Sequence, residues 1–317
     1  SYGADVLRLW AAATDSRGGM SVSAEILRRV ADTSRRIRNT VRFLLGNLHG
    51  FDQARDALPA AELLAIDRFA LERAHALQQE VVEAYRDYEF HLIYQKVHNF
   101  CVVDLGGFWL DILKDRLYTT PAAGLPRRSA QTALWHVAEA MVRWLAPILS
   151  FTAEEIWGFL PGPRDESVFL STWWELPDVH PSPGIDWDAV LALKSDVARE
   201  LERLRAEGRI GAPLEAEVDV YLDAAGQARL GGLGDELRFV LITSEARLLE
   251  AAARPADAVA AESLPGGAWI AVRPLGHAKC ARCWHRRADV GHDARHPELC
   301  GRCVTNLEGP GETRKYA

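Results

Sequence analysis

A run of the roughly 18–20 apolar residues that a bilayer-spanning helix needs is absent from this 317-residue sequence. That excludes a transmembrane helix. The opening residues, Ser1-Tyr2-Gly3-Ala4-Asp5, have neither a methionine nor a basic-then-apolar leader. They are not a signal peptide and read as a chain cut from something longer. No GxxxxGK[ST] phosphate loop and no HExxH element occurs, and Gly231-Gly232-Leu233-Gly234 lacks the third glycine of a dinucleotide loop, so it reads as a turn. Nothing pairs a nucleophile with a base. Glu154 and Glu155 suit the first turn of a helix, and His91 and His98, on one helix face, read as packing residues. Internal repeats and low-complexity tracts are missing too.

Cysteine is scarce, with five in all, and four of the five fall in one pattern. Cys280-Ala-Arg-Cys283 is followed by Cys300-Gly-Arg-Cys303, a separation that matches a structural zinc site. A CxxC turn converges two thiolates on one metal, and a hairpin brings up the second pair to complete a tetrahedron. Four sulfur ligands leave no open coordination position, so the metal would hold shape and do no chemistry. Two disulfides or unliganded thiols are the alternatives. With four cysteines at hand, His277, His285, His292 and His296 read as surface histidines. The fifth cysteine, Cys101, lies in an apolar stretch and reads as a buried inert thiol. Such usage fits a reducing, cytoplasmic setting.

Net charge is −7, unlike a protein coated in nucleic acid, but it is unevenly spread. Residues 1–185 carry net −4, residues 186–276 net −6, and residues 277–317 net +3. Local basic surface matters more than the total for binding a polyanion. The pattern is helical from Ser21 to about Pro161. Ile26, Val30, Ile37, Val41, Leu44 and Leu48 mark one buried face, and Leu63 through Tyr85 mark a second helix. A third, through Phe90, Ile93, Val97 and Phe100, should stop at Gly106-Gly107. A shorter one comes next through Trp109, Ile112 and Leu117, and a fifth carries Leu134, Val137, Met141 and Leu145 up to Pro147. Thr152-Ala-Glu-Glu155 predicts a capping box for a last short helix. Residues 161–185, with Trp173, Trp174 and Pro181, read as an ordered linker packed on the bundle. A helix over Trp187–Glu207, then alternation at Val218–Leu222 and Trp269–Val272, predicts a small domain with a few antiparallel strands. The expected fold class is mainly α: an antiparallel helical bundle over 21–185 with its linker, a small α+β domain over 186–276, and a four-cysteine zinc hairpin module over 277–317.

Two basic features stand out. Arg28, Arg35, Arg38 and Arg42 lie within about 80° of one another on the first bundle helix, beside Asn39 and away from its apolar stripe. Guanidinium forks suit phosphates, while a solvated face or pairing with acids elsewhere on the bundle explains the stripe equally well. In the tail, Arg282, Trp284, Arg286, Arg287 and Arg302 surround the metal turns. A ring among arginines can stack an RNA base, or it can pack over the zinc knuckle of a module with little other core.

Several stretches carry a resemblance. Arg38-Asn39-Thr40-Val41-Arg42-Phe43-Leu44-Leu45-Gly46-Asn47-Leu48 resembles the signature helix of the anticodon-binding bundle in class I aminoacyl-tRNA synthetases for branched aliphatic amino acids. Pro147 to Trp157 matches that bundle's closing segment, and Lys114-Asp115-Arg116-Leu117-Tyr118 is another shared stretch. Tyr2 to Trp10 resembles the segment immediately after the catalytic lysine-serine loop, which makes residues 1–20 the end of a connection to the catalytic core. The cysteine tail is similar to the zinc module of bacterial isoleucyl-tRNA synthetases. The resemblance implies the C-terminal part of such an enzyme: a monomer in the cytoplasm that binds isoleucine tRNA at its anticodon stem-loop, with one structural Zn2+. RNA contacts would fall on Arg28, Arg35, Arg38, Arg42, Arg282, Trp284, Arg286 and Arg302. The sequence has neither HIGH nor KMSKS and no editing insertion, so ATP and Mg2+ would belong to a missing catalytic domain, and no catalytic residue is assigned here. The rival is a DNA-binding protein of the formamidopyrimidine-DNA glycosylase type, which ends in a similar zinc hairpin. A zinc-stabilised helical interaction module with no RNA role is the blander alternative.

Overall fold

The computed structural model describes residues 2–15, 19–180, 182–264 and 266–317; Ser1 and Pro181 lie outside the described residues. Contacts divide the chain into two units, Ser1–Asp111 with Arg128–Pro181, and Ile112–Arg127 with Ser182–Ala317.

The first unit is built from helices. They are α1 (Ala4–Ala13), α2 (Ala24–Gly46), the short α3 (Gln53–Asp56), α4 (Ala65–Arg86) and α5 (Phe90–Asn99), continued by α6 (Leu110–Thr119), α7 (Leu125–Leu145) and α8 (Ser150–Trp157). Most of α6 and the first turn of α7 group with the second unit. The long α2 starts where Ser23 Oγ accepts from the Ile26 amide (3.1 Å), one of the orphan donors of a helix N-terminus. Its Val30, Ile37, Val41 and Leu44 are buried as their spacing predicts.

Gly106-Gly107 does not end a helix. Phe100–Trp109 is a π-helical stretch that runs on into α6. Reaching back five residues brings the backbone close: a Cβ on Gly106 would lie 3.0 Å from the Cys101 carbonyl oxygen, and one on Gly107 3.1 Å from that of Val102. The glycines make room for the wider turn, while burial of Phe100, Leu105, Phe108 and Trp109 holds the segment in place. Trp109 Nε1 donates to buried Asp67 Oδ1 (3.0 Å), and Ser129 Oγ donates to its Oδ2 (2.5 Å). Cys101 is buried, and burial pushes its thiol up to about 12.

The expected capping box on Thr152 is also replaced. Helix α8 begins at Ser150, so Thr152 lies inside it. The Phe151 and Thr152 amides donate instead to the Asp5 carboxylate of α1, at 3.3 and 2.7 Å. A carboxylate from another helix thus satisfies the terminus. Glu154 accepts from Ser167 Oγ and the Val168 amide. The linker packs on this unit: the Gln78 amide donates to the Trp174 carbonyl (2.7 Å), and Trp174 Nε1 donates to His136 Nδ1 (3.1 Å). Burial pushes His136 down to about 4, which keeps that nitrogen an acceptor.

In the second unit, Asp186 caps α9 (Trp187–Ala206) by accepting from the Ala189 amide (3.0 Å). Next come β1 (Ala216–Leu222), α10 (Ala224–Leu230), a tight 3-10 turn over Gly231–Glu236, α11 (Leu237–Leu241), β2 (Glu245–Glu250), β3 (Val259–Ala260), β4 (Ala268–Pro274) and α12 (Gly301–Glu308). The sheet order is β2-β1-β4-β3. Strands β1 and β4 are antiparallel, with Val220 opposite Ile270, but β1 and β2 are parallel, with Val220 opposite Leu248. The expected antiparallel pairing is present in β1–β4 and β3–β4, and the parallel β1–β2 pair is an addition to it. Helices α10 and α11 lie between β1 and β2, a connection long enough for the crossover that parallel pairing requires.

Candidate metal centre and basic surfaces

The four cysteine sulfurs of Cys280, Cys283, Cys300 and Cys303 lie within 4.8 Å of one another, and all four side chains are buried. Two turns bring them together. The first is closed by a bridge between Lys279 and Arg286, with the Cys280 amide donating to the His285 carbonyl (2.9 Å) and the Trp284 amide to the Cys280 carbonyl (3.0 Å). The second pair sits at the start of α12, where the Cys300 amide points at Cys280 Sγ (3.4 Å) and the Gly301 amide donates to Asp289 Oδ2 (3.1 Å). No disulfide joins any of them.

The donor set fits a tetrahedral dication. With Zn–S near 2.3 Å, a regular tetrahedron has sulfur–sulfur edges of about 3.8 Å, and Cys283 Sγ lies 3.7 Å from Cys300 Sγ. Four thiols this close cannot all ionise unless a cation stands among them.

A buried ion network adjoins this centre. Arg302 donates to both Asp115 oxygens, at 2.7 and 2.8 Å, and Arg314 also pairs with Asp115. Glu312 Oε1 accepts from both arginines at 3.1 Å. The Arg314 guanidinium carbon lies 3.4 Å from the Phe239 ring centroid, a cation–π contact. Burial would raise the Asp115 carboxyl, but Arg302 and Arg314, with His285, hold it well below the usual carboxylate range.

This network changes the reading of the tail. Arg302, expected to contact RNA, has a side chain only 10% exposed and is committed to Asp115 and Glu312. Arg282 donates to the Thr119 carbonyl (2.5 Å). Arg286 pairs with Glu215 (3.0 Å). His285, expected at the surface, is buried beside Asp115, with Nε2 3.6 Å from Oδ1. His296 is half-buried against Glu308, while His277 and His292 are exposed. The sequence pattern missed Asp115 as the centre of this network, although it lies in the Lys114-Asp115-Arg116 stretch singled out for its resemblance.

Trp284 stands apart. Its side chain is 62% exposed, so it does not cover the zinc knuckle. Its backbone is left-handed, with φ of 66°, and Lys279 Nζ lies 5.5 Å from the ring centroid. A bare ring with an adjoining cation is the tail's remaining surface suited to a base and its phosphate.

On α2, all four stripe arginines are exposed, but they are not equivalent. Arg35 pairs with Asp32, and Arg38 Nη2 lies 2.6 and 2.5 Å from the two Glu155 oxygens. Arg28 and Arg42 make no ion pair among the described residues. Arg38, Asn39 and Arg42 line one side of a groove of about 540 Å³ whose other side carries Glu155, Ile156 and Phe159.

Comparisons with known proteins bear on both surfaces. A family described as the anticodon-binding domain of tRNA ligase matches residues 67–220, and one described as a zinc finger found in FPG and IleRS matches residues 279–306. The chain is 58% identical to the isoleucine–tRNA ligase of Nitrosococcus oceani over 321 residues, which cover 100% of this chain and 34% of that protein. The isoleucine–tRNA ligase of Pseudomonas paraeruginosa is 58% identical with the same coverage. That of Halorhodospira halophila is 58% identical over 319 residues, 99% of this chain and 34% of that protein. The chain therefore spans about a third of the length of the curated relatives it matches.

Proposed function

We propose that the chain belongs to the isoleucine–tRNA ligase family and is the tRNA-recognising, C-terminal part of such an enzyme. In this reading, residues 21–185 receive the anticodon arm of isoleucine tRNA, and residues 277–317 form a zinc-stabilised module that presents Trp284 to an unpaired base. Residues 186–276, net −6, are assigned no RNA contact. Cys280, Cys283, Cys300 and Cys303 hold one zinc ion per chain, which supplies rigidity alone because no coordination position stays open. The intact enzyme, a cytoplasmic monomer, activates isoleucine with ATP and Mg2+ and passes it to the tRNA. That chemistry is assigned to the part of the relatives' length that this chain does not match.

The observation that carries the reading is Arg28 and Arg42, exposed and without ion pairs among the described residues in a chain of net charge −7. Cations left without acids in an acidic protein suit a polyanion. The test compares binding of an isoleucine-tRNA anticodon stem-loop with a DNA duplex of equal length across a salt series. Salt-dependent preference for the stem-loop is expected. Preference for the duplex would favour the glycosylase-type reading, and no binding to either would favour an interaction module.

A further inference from the structure

The α2–α8 groove holds two features that the arginine stripe alone does not explain. Phe159 leaves 71% of its surface in water and has no ring partner among the described residues. It is fixed in the turn after α8 by its amide, which donates to the Ile156 carbonyl (3.0 Å). Opposite it, Arg38 is turned onto Glu155 while Arg42 stays unpaired. The volume, about 540 Å³, lies within the ~300–1,000 Å³ of small-ligand sites. Its parts are those of a nucleotide site: an aromatic face for a base, the Asn39 amide with both donor and acceptor for a base edge, and a free guanidinium for a phosphate. An apolar helix would leave Arg42 without a partner.

We infer that this groove seats one unpaired nucleotide of the RNA, its base on the Phe159 ring and its phosphate on Arg42, with Glu155 restraining Arg38 until a phosphate displaces it. The inference rests on the tRNA-binding reading above. An exposed carboxylate–guanidinium pair is weak, so a phosphate can take Arg38 from Glu155. RNA lacking an unpaired base at this point gains nothing from Phe159. The base site on Phe159 therefore favours a loop over a plain helix.

The experiment measures affinity of the full chain for the anticodon stem-loop and for a fully paired RNA of equal length, each across salt. Phe159→Ala should weaken stem-loop binding about ten- to a hundredfold with an unchanged salt slope and melting temperature. It should leave the paired RNA unaffected, and Phe159→Trp should restore the loss. Glu155→Gln should tighten binding of both RNAs about two- to fivefold at an unchanged salt slope, because it removes a competitor for Arg38 without adding a phosphate to the complex. Native affinity in Phe159→Ala, with the native chain binding the stem-loop, overturns the base site and leaves the proposed function standing. Native affinity for both RNAs in Glu155→Gln overturns the latch. A native chain that ignores the stem-loop overturns the functional reading and this inference together.

Discussion

Arginine is used in opposite ways at the two basic regions. On α2 the guanidiniums are exposed, and Arg28 and Arg42 meet no acid among the described residues. Around the metal centre, Arg302 and Arg314 are buried against Asp115 and Glu312, and Arg314 lies over the Phe239 ring. The contrast teaches that an arginine's role is decided by where its carboxylate lies. Exposed and unpaired, it keeps its charge for a ligand; buried and paired, it spends that charge on cohesion, and removing its partner is the costly event.

The sharpest way to break the comparison is at the metal. Cys300→Ser should abolish zinc binding and unfold the tail, since structural zinc contributes about 10–16 kcal/mol of apparent binding energy in small domains, while the α2 helix and its arginines persist. Metal analysis with far-ultraviolet circular dichroism checks this, and zinc retained at one per chain would refute it. Next in size, Asp115→Ala leaves the largely buried guanidiniums of Arg302 and Arg314 to share Glu312 alone and should cost about 3 kcal/mol. Arg42→Ala should move stability by no more than about 0.5 kcal/mol. Denaturant titrations of the two variants should differ accordingly; equal effects would erase the distinction between the regions.

Trp284→Ala sharpens the comparison within the tail itself. A stacked base is worth about 1–3 kcal/mol, so RNA affinity should fall about ten- to a hundredfold with zinc still bound, and Trp284→Phe should recover much of it. Zinc content and affinity measured on the same sample decide, and a zinc-loaded variant with native affinity removes stacking. The smallest effect belongs to single stripe arginines. Replacing Arg28 or Arg42 by Ala should flatten the salt slope of RNA binding by about 0.7–0.9 each at unchanged melting temperature, whereas Arg302→Ala should lower the melting temperature. A slope indifferent to both Arg28 and Arg42 would make the stripe a solvated face.

Legibility in the sequence was local. The four cysteines, the helical face of α2 and strands β1 and β4 are set by spacings within a few residues. Asp115 was not legible, because Arg302 lies 187 positions away and neither residue carries a sign of the other; composition made Arg302 and Arg42 look alike. Gly106-Gly107 misled for a different reason: the breaker tendency of glycine is weak beside the burial of Phe108 and Trp109. Strand β2 was invisible because Glu245–Glu250 is half-buried to exposed along its length and has no clean alternation. Phe159 carried no periodic signal at all, since it lies just past the end of α8.

The knuckle turn has an energetic corollary. A residue other than glycine held at the left-handed φ of Trp284 carries a conformational cost of about 1–2 kcal/mol, and glycine would occupy that position without it. The tail thus forgoes local stability at the one position where its largest ring meets water. Trp284→Gly separates the two quantities, because it should relax the turn while removing the ring: a firmer knuckle with a weaker grip on RNA.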